Sequence, residues 1–319
     1  MTRWTRASDL LTREQIKALV RPSNLRGVWA VLFDWLVIVG SIALVAWRPA
    51  IWSVAIALIL IGGRQLGLAI LMHECSHYSL FRGRRLNDVV GQWLCAAPIW
   101  QNLPKYRVHH LAHHNYVGSD RDTDLGLVAP FPVSGRSLVR KLLRDISGLS
   151  ALRRVAALLL MDLGYLSYSA SVGTARIRDG RSVAAHLAQG LGNFAPTLLT
   201  NAALFLPLWL IGRPMLYLLW LGAYATTFSL FVRVRSIAEH ACTEMTRDPL
   251  RNTRTTLANP LARATVAPHR VNFHLEHHLL MTVPYFRLPV LHRALRARGT
   301  FNTAPFARGY VDVVRSAVR

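Results

Sequence analysis

The amino-acid sequence predicts an all-α integral membrane protein: four transmembrane helices in two hairpins, with a cytoplasmic helical cap carrying a histidine-rich dimetal site. Three observations carry that expectation. The 319-residue chain is 52% hydrophobic, and its apolar stretches at 28–47, 49–72 and 191–232 are long enough to cross a bilayer. Three short strings consist almost entirely of histidine: HECSH at 73–77, HHLAHH at 109–114 and HLEHH at 274–278. The basic residues, finally, avoid the turns between apolar stretches and crowd into the rest of the chain.

The elements follow in order. Residues 1–26 read as a short amphipathic lead-in, with Thr12 and Gln15 at capping-box spacing. At about 1.5 Å per residue, 28–47 spans roughly 30 Å and carries one acid, Asp34. It is too long for a cleaved signal peptide and lacks a small-residue cleavage site. The next stretch, 49–72, carries Arg64 and Gln65, and Arg64 is expected to snorkel to the head groups. Residues 137–146 suit a helix lying along the membrane surface. The stretch 155–173 is apolar enough for a fifth crossing, but that would put the third histidine string across the membrane from the first two. It is read as an interfacial helix with Arg153 and Arg154 at the head-group edge. Residues 191–232 make two passes, broken at Gly212-Arg213-Pro214. The whole of 1–319 reads as one domain without repeats, and 300–319 as a less ordered tail.

Charge sets the orientation. Of 38 basic residues, six precede the first span, 15 fall between His73 and Gly190, and 14 follow Val232. The presumed outer turns hold only Arg48 and Arg213. Short loops rich in Arg and Lys stay cytoplasmic, so both termini and all three histidine strings belong on the inner side of a cell membrane. A net charge of +22 then reflects topology and contact with anionic lipid, not nucleic acid. Cys75, Cys95 and Cys242 form no CxxC pair, which argues against a disulfide framework or an iron–sulfur cluster. Gly190-Leu191-Gly192 follows no strand and is no dinucleotide fingerprint.

Imidazoles one turn apart share a helix face, so His73 with His77, His110 with His113 and His114, and His274 with His277 and His278 form convergent nitrogen sets. Neutral imidazole is the commonest protein metal ligand, and one ion cannot use this many; the arithmetic points to two metals. HECSH also matches the HExxH pattern of zinc proteases, in which Glu74 would be the general base. That alternative needs one further ligand and leaves the other two strings unexplained.

With order and spacing of these boxes in hand, the chain resembles the integral-membrane fatty acid desaturase and hydroxylase superfamily. The surroundings RQLGLAILMHECSH, YRVHHLAHHNYVGSDRDTDL and VNFHLEHHLLMTVPYFRLPVLH look like its bacterial acyl-desaturase branch. The resemblance runs from about Arg64 to His292. It implies two iron ions and O2, with His73, His77, His110, His113, His114, His274, His277 and His278 as catalytic metal ligands. It also implies a further ligand at the cytoplasmic end of the last span, where His240 stands. His109 could replace His110, although family spacing favours His110. Carboxylates offsetting the charge of the metals are expected among Glu74, Glu239, Glu276, Asp120 and Asp124. The motif Asp122-Thr123-Asp124 replaces the family's DPD, a change expected to affect a loop and not the metals. His186, His269 and His292 stand alone and read as structural. The implied activity is desaturation of a fatty acyl lipid with electrons from a ferredoxin or similar protein; the alternative on the same scaffold is hydroxylation or ketolation of a lipid or carotenoid.

Overall fold

The computed structural model describes residues 4–171 and 173–319, so the first three residues of the lead-in lie outside the described residues. Thr12 caps helix α1 (Arg13–Leu19). Gln15 N–H donates to the Thr12 hydroxyl and Thr12 N–H donates to Gln15 Oε1, at 3.3 and 3.0 Å, the reciprocal pair its spacing predicts. Helices α2 (Asn24–Trp47) and α3 (Ile51–Ser76) form the first apolar hairpin. Helix α3 runs beyond Met72 and so carries His73 on its last turn.

Next come α4 (Leu103–Tyr116), whose Asn102 cap accepts from Lys105 N–H at 3.1 Å, α5 (Gly135–Ile146) and α6 (Leu149–Asp162). At 14 residues, α6 is about 21 Å long, too short to cross. It also begins and ends earlier than expected, because Gly164 at φ +80° turns the chain into an irregular segment. The second hairpin is α7 (Val183–Leu210), then α8 (Tyr217–Ala225) and α9 (Thr227–His240). Thr226, at φ −110° and ψ −84°, breaks the rod between α8 and α9. In all, four helical stretches among the described residues are long and apolar enough to span a membrane, and the protein is a mostly helical membrane protein.

The remaining elements are β1 (Thr255–Thr256), α10 (His274–Leu279), α11 (Leu288–Ala297), β2 (Phe306–Ala307) and α12 (Tyr310–Ser316). Strands β1 and β2 pair in parallel. The tail is therefore not loose, contrary to the expectation for 300–319. Val313 and Ala317, one turn apart, are buried against Ile237 and Ala238 of α9. With only Val313 and Ala317 fully buried in a helix of two turns, the apolar pattern is too short to announce it.

Helix α3 is the pillar: 61% of its most apolar stretch is buried, against 6% for α7, whose side chains are mostly uncovered by the rest of the protein. Two of its glycines permit close contacts. A Cβ on Gly62 would stand 2.1 Å from Thr227 Oγ1, and one on Gly67 would stand 2.4 Å from an Asp34 carboxylate oxygen. That carboxylate is fully buried and ion-paired to Arg64 at 2.9 Å. Arg64 also donates to the backbone carbonyls of Arg263 and Ala264, at 3.1 and 2.9 Å. It does not snorkel, because Asp34 and two orphan carbonyls satisfy it inside. His269 Nε2 lies 2.7 Å from the second Asp34 oxygen. The cluster thus locks α2, α3 and the segment preceding α10 together, and sets the height of the third histidine string above the bilayer.

Removing one partner of a buried pair strands the other charge, at about 3–5 kcal/mol. Arg64→Met should therefore lower the thermal midpoint in detergent strongly, and adding Asp34→Asn should recover part of the loss. A single variant as stable as the parent protein by circular dichroism would contradict this role.

Candidate metal centre

Four helix ends meet on one side of the apolar helices: the last turn of α3, the C-terminal half of α4, the end of α9 and the whole of α10. Their histidines fall into two sets. His73, His77, His110, His114 and His277 form one, and His113, His240, His274 and His278 the other; within each set the candidate nitrogens all lie within 4.8 Å of one another. The two sets adjoin where the rings of His114 and His278 stack, centroids 4.3 Å apart.

The split follows from helix geometry. On α4, His110 and His114 are four residues apart and serve one set, while His113 turns to the other. On α10, His274 and His278 are four apart and serve the second set, while His277 turns to the first. Each HxxHH string thus feeds both sets, crosswise. His109 is not among them: its Nε2 donates to Asp124 Oδ1 at 2.9 Å, so His110 takes the position that spacing alone left open.

The contacts within each set fit a shared cation. His110 Nε2 lies 3.0 Å from His77 Nε2 and 3.1 Å from His114 Nε2, and His277 Nε2 lies 3.0 Å from His114 Nε2. In the second set, His240 Nε2 lies 2.9 Å from His274 Nε2 and 3.3 Å from His113 Nε2. Two nitrogens each about 2.1 Å from one ion and at right angles would lie about 3.0 Å apart. In the second set His240, whose Nδ1 carries the ring proton, presents a bare Nε2 to both His274 and His113. Both ring nitrogens of His73, Nδ1 of His277 and Nε2 of His278 are buried and without a partner.

Tautomers are set from outside. His240 Nδ1–H donates to the Asn252 carbonyl at 3.0 Å, and His113 Nδ1–H to Asp122 Oδ1 at 2.6 Å. Neutral rings so held turn Nε2 lone pairs inward. Burial pushes His77 down to about 3 and holds His110, His114, His274, His277 and His278 well below the ordinary imidazole range, with neighbouring imidazoles adding to the effect. At neutral pH these rings are uncharged and able to bind metal. His113 is the exception: burial pushes it down, but the Asp122 hydrogen bond and the nearby Asp124 outweigh that and raise it.

Of the expected carboxylates, Glu239 lies 3.4 Å from His274 Nδ1 and 2.6 Å from Arg235 Nε. Glu74 stands 3.7 Å from His73 Nδ1 and accepts from Ser79 Oγ and Tyr285 N–H, at 3.0 and 2.8 Å. Asp124 sits on His109 and is held down at about 2: burial raises it, but His109 and His113 outweigh that. Asp120 is exposed and touches no histidine of either set. Glu276, against expectation, faces away: it bonds His292 Nδ1 at 2.5 Å and accepts from Thr255 Oγ1 at 2.6 Å. The carboxylate that sequence reading missed is Asp122. It stands beyond the helical repeat, and its signal was the DTD motif itself. Thr123, the departure in that motif, donates to the His109 carbonyl at 3.1 Å and ties the loop to α4.

A cavity of about 140 Å³ reaches both sets: His110 of the first and His113, His240 and His274 of the second line it, together with Met72, Phe228 and Val232 and the charged Asp122, Asp124, Arg235 and Glu239. The arrangement can bring an apolar chain against a pair of nitrogen-ligated ions. His186 and His269 lie elsewhere, on the Leu163 carbonyl and on Asp34, at 2.7 Å each.

Comparison with known proteins agrees with this geometry. The family model for fatty acid desaturases matches residues 49–309. The chain is 28% identical over 286 residues to the dihydrorhizobitoxine desaturase of Bradyrhizobium elkanii, covering 88% of this chain and 77% of that protein. It is 24% identical over 246 residues to the sn-1 oleoyl-lipid 12-desaturase of a Synechocystis strain, covering 75% and 66%. A shorter match, 39% identical over 69 residues, links it to the beta-carotene ketolase of a Paracoccus strain, covering 20% and 27%. Matched over most of its length and carrying the paired histidine sets on apolar helices, the chain belongs to the fatty acid desaturase family and is a membrane oxidoreductase of the desaturase and hydroxylase type.

Proposed function

We propose that this protein is a di-iron fatty acyl desaturase of the inner cell membrane, with both termini and the histidine strings on the cytoplasmic side. Its ligands are His73, His77, His110, His114 and His277 for one iron, and His113, His240, His274 and His278 for the other. The single observation that supports this most is the crosswise sharing of two HxxHH strings between two adjacent nitrogen sets. Two bound iron ions would supply an oxidant, made from O2, strong enough to break unactivated C–H bonds. A zinc protease reading explains less, because three further histidines, not one, join His73 and His77.

The chain's own residues do the rest. Asp122 and Asn252 orient His113 and His240 through their Nδ1–H groups. Tyr106 stacks on His110 at a centroid distance of 5.3 Å and helps exclude water from that ring. Met72, Phe228 and Val232 give the apolar wall along which an acyl chain would lie. The ketolase match supports a second reading on the same site, hydroxylation or ketolation of a lipid or carotenoid.

Electrons come from a separate carrier, an acidic ferredoxin or similar protein. A cleft of about 280 Å³ supports this: Arg6, Arg247 and Trp4 edge it, and His114 and His278, one from each set, lie in its wall. Turnover with ferredoxin and reductase should therefore fall as ionic strength rises, and insensitivity to salt would speak against electrostatic docking.

Purified protein should carry about two irons by elemental analysis. His274→Ala should drop that toward one, and Asp122→Asn should weaken binding by about 10–100-fold. Glu276→Gln should leave iron stoichiometry unchanged in the folded fraction, since its carboxylate serves His292 and Thr255.

Lipid profiling of a host supplied with a compatible donor is the direct test of activity. The intact protein should yield products lighter by two hydrogens, and His113→Ala none. Products heavier by one oxygen would establish the hydroxylase reading, and iron-free protein with no product difference would refute both.

A further inference from the structure

A second chamber, of about 400 Å³, opens beside the histidine-lined cavity. The two adjoin, sharing six wall residues, Gln101, Leu127, Arg154, Ala170, Val232 and Ser236. The chamber's wall holds four guanidinium groups, Arg144, Arg153, Arg154 and Arg233, against one carboxylate, Asp145. Asp145 is already engaged by Arg233, at 2.9 Å to Nη2, and by the Ser150 hydroxyl. Among the described residues the other three arginines form no ion pair. Arg154 uses one nitrogen on the Tyr224 carbonyl and the Ser229 hydroxyl, at 2.8 and 3.0 Å. Its Nε, like that of Arg144, is buried and without a partner. Guanidiniums without a carboxylate partner, two of them with idle buried Nε donors, beside a cavity whose wall includes Leu66, Ile70, Met72, Phe228 and Val232, describe a receptor for an anion with an apolar tail.

We propose that this chamber seats the carboxylate or phosphate head of a single-chain amphiphile whose tail runs past Val232 to the cavity at His113, His240 and His274. The proposal rests on the functional reading above and narrows its substrate class. It also sets a length. Helix α9 is unbroken from Thr227 to His240. Arg154 meets it at Ser229 and Asp145 meets it at Arg233. At 1.5 Å rise per residue, those levels lie about 16 and 10 Å from His240 along the axis. The carbon that is oxidised is therefore offset from the anionic head by about 10–16 Å along the α9 axis.

Calorimetric titration of the purified protein in a nonionic detergent tests this with three ligands of one chain length: dodecanoate, dodecyl phosphate and dodecanol. At least one anion should bind about tenfold or more tighter than the alcohol, and which of the two does so separates a free acid from a phosphate-headed source. The Arg144→Gln/Arg153→Gln variant should bind all three alike while keeping its iron. Dilauroyl phosphatidylglycerol should not compete. Equal binding of dodecanol and both anions by the parent protein, retention of the preference in the variant, or competition by the two-chain lipid would overturn the proposal. Binding needs no turnover, so protein that lacks iron and oxidises nothing would refute the functional reading while leaving this measurement legible.

Discussion

Imidazole lone pairs that face one another at about 3 Å repel unless a positive charge lies between them, and the fold is arranged around that constraint. In the second set, His113 and His240 spend their Nδ1–H groups on Asp122 and Asn252, so in neutral rings both inward nitrogens are bare. Burial keeps most of the remaining rings unprotonated. Between His113 and His240, when both rings are neutral, no ring proton is left to bridge the two Nε2 atoms. What remains is a demand for a cation, met from helix ends that are held rigidly by packing elsewhere.

Crosswise sharing explains why the strings read HxxHH and not HxxxH twice. A pair four residues apart converges on one point, and the residue between, one position short of a full turn, points to a second point nearby. One short helix can then serve two ions without lengthening. The consequence is cooperativity: neither set is complete without both α4 and α10. Those two helices are joined in space to α3 and α9, whose positions depend on the apolar hairpins and on the Asp34–Arg64–His269 cluster. A defect in a buried charge cluster among the apolar helices is therefore felt at the histidines through α10.

What was legible in the sequence was whatever repeats at a helical period. Four apolar helices, the amphipathic α5, the capping box at Thr12 and the eight histidines of the boxes all announce themselves that way. His240 came through family resemblance, because a lone histidine at a helix end has no pattern of its own. Less legible was anything fixed by partners distant in sequence. Arg64 looked like a snorkelling residue because its partners, Asp34 and the Ala264 carbonyl, are separated from it by 30 and 200 positions. Glu276 looked like a supporting carboxylate because it neighbours His277, yet neighbours on a helix face opposite ways, and its oxygens go to His292. Asp122 was passed over for the converse reason: the loop after α4 folds back onto His113, and periodicity says nothing about loops.

The same reasoning bears on substrate choice. On the proposed reading an acyl chain lies against Met72, Phe228 and Val232, and apolar contacts discriminate weakly, at about 1–3 kcal/mol per methylene. Selection of which carbon is oxidised must then come from a fixed point elsewhere along the substrate. Arg154 meets α9 at Ser229 and Asp145 meets it at Arg233, and this helix also presents His240 to the metals. On the proposed reading, a head held at one level of this helix and an oxidant held at another would make a ruler whose length is a property of the backbone, not of the cavity's shape. Substitutions that widen the cavity should then change which chains are accepted, while those that move the anion along α9 should change which carbon reacts.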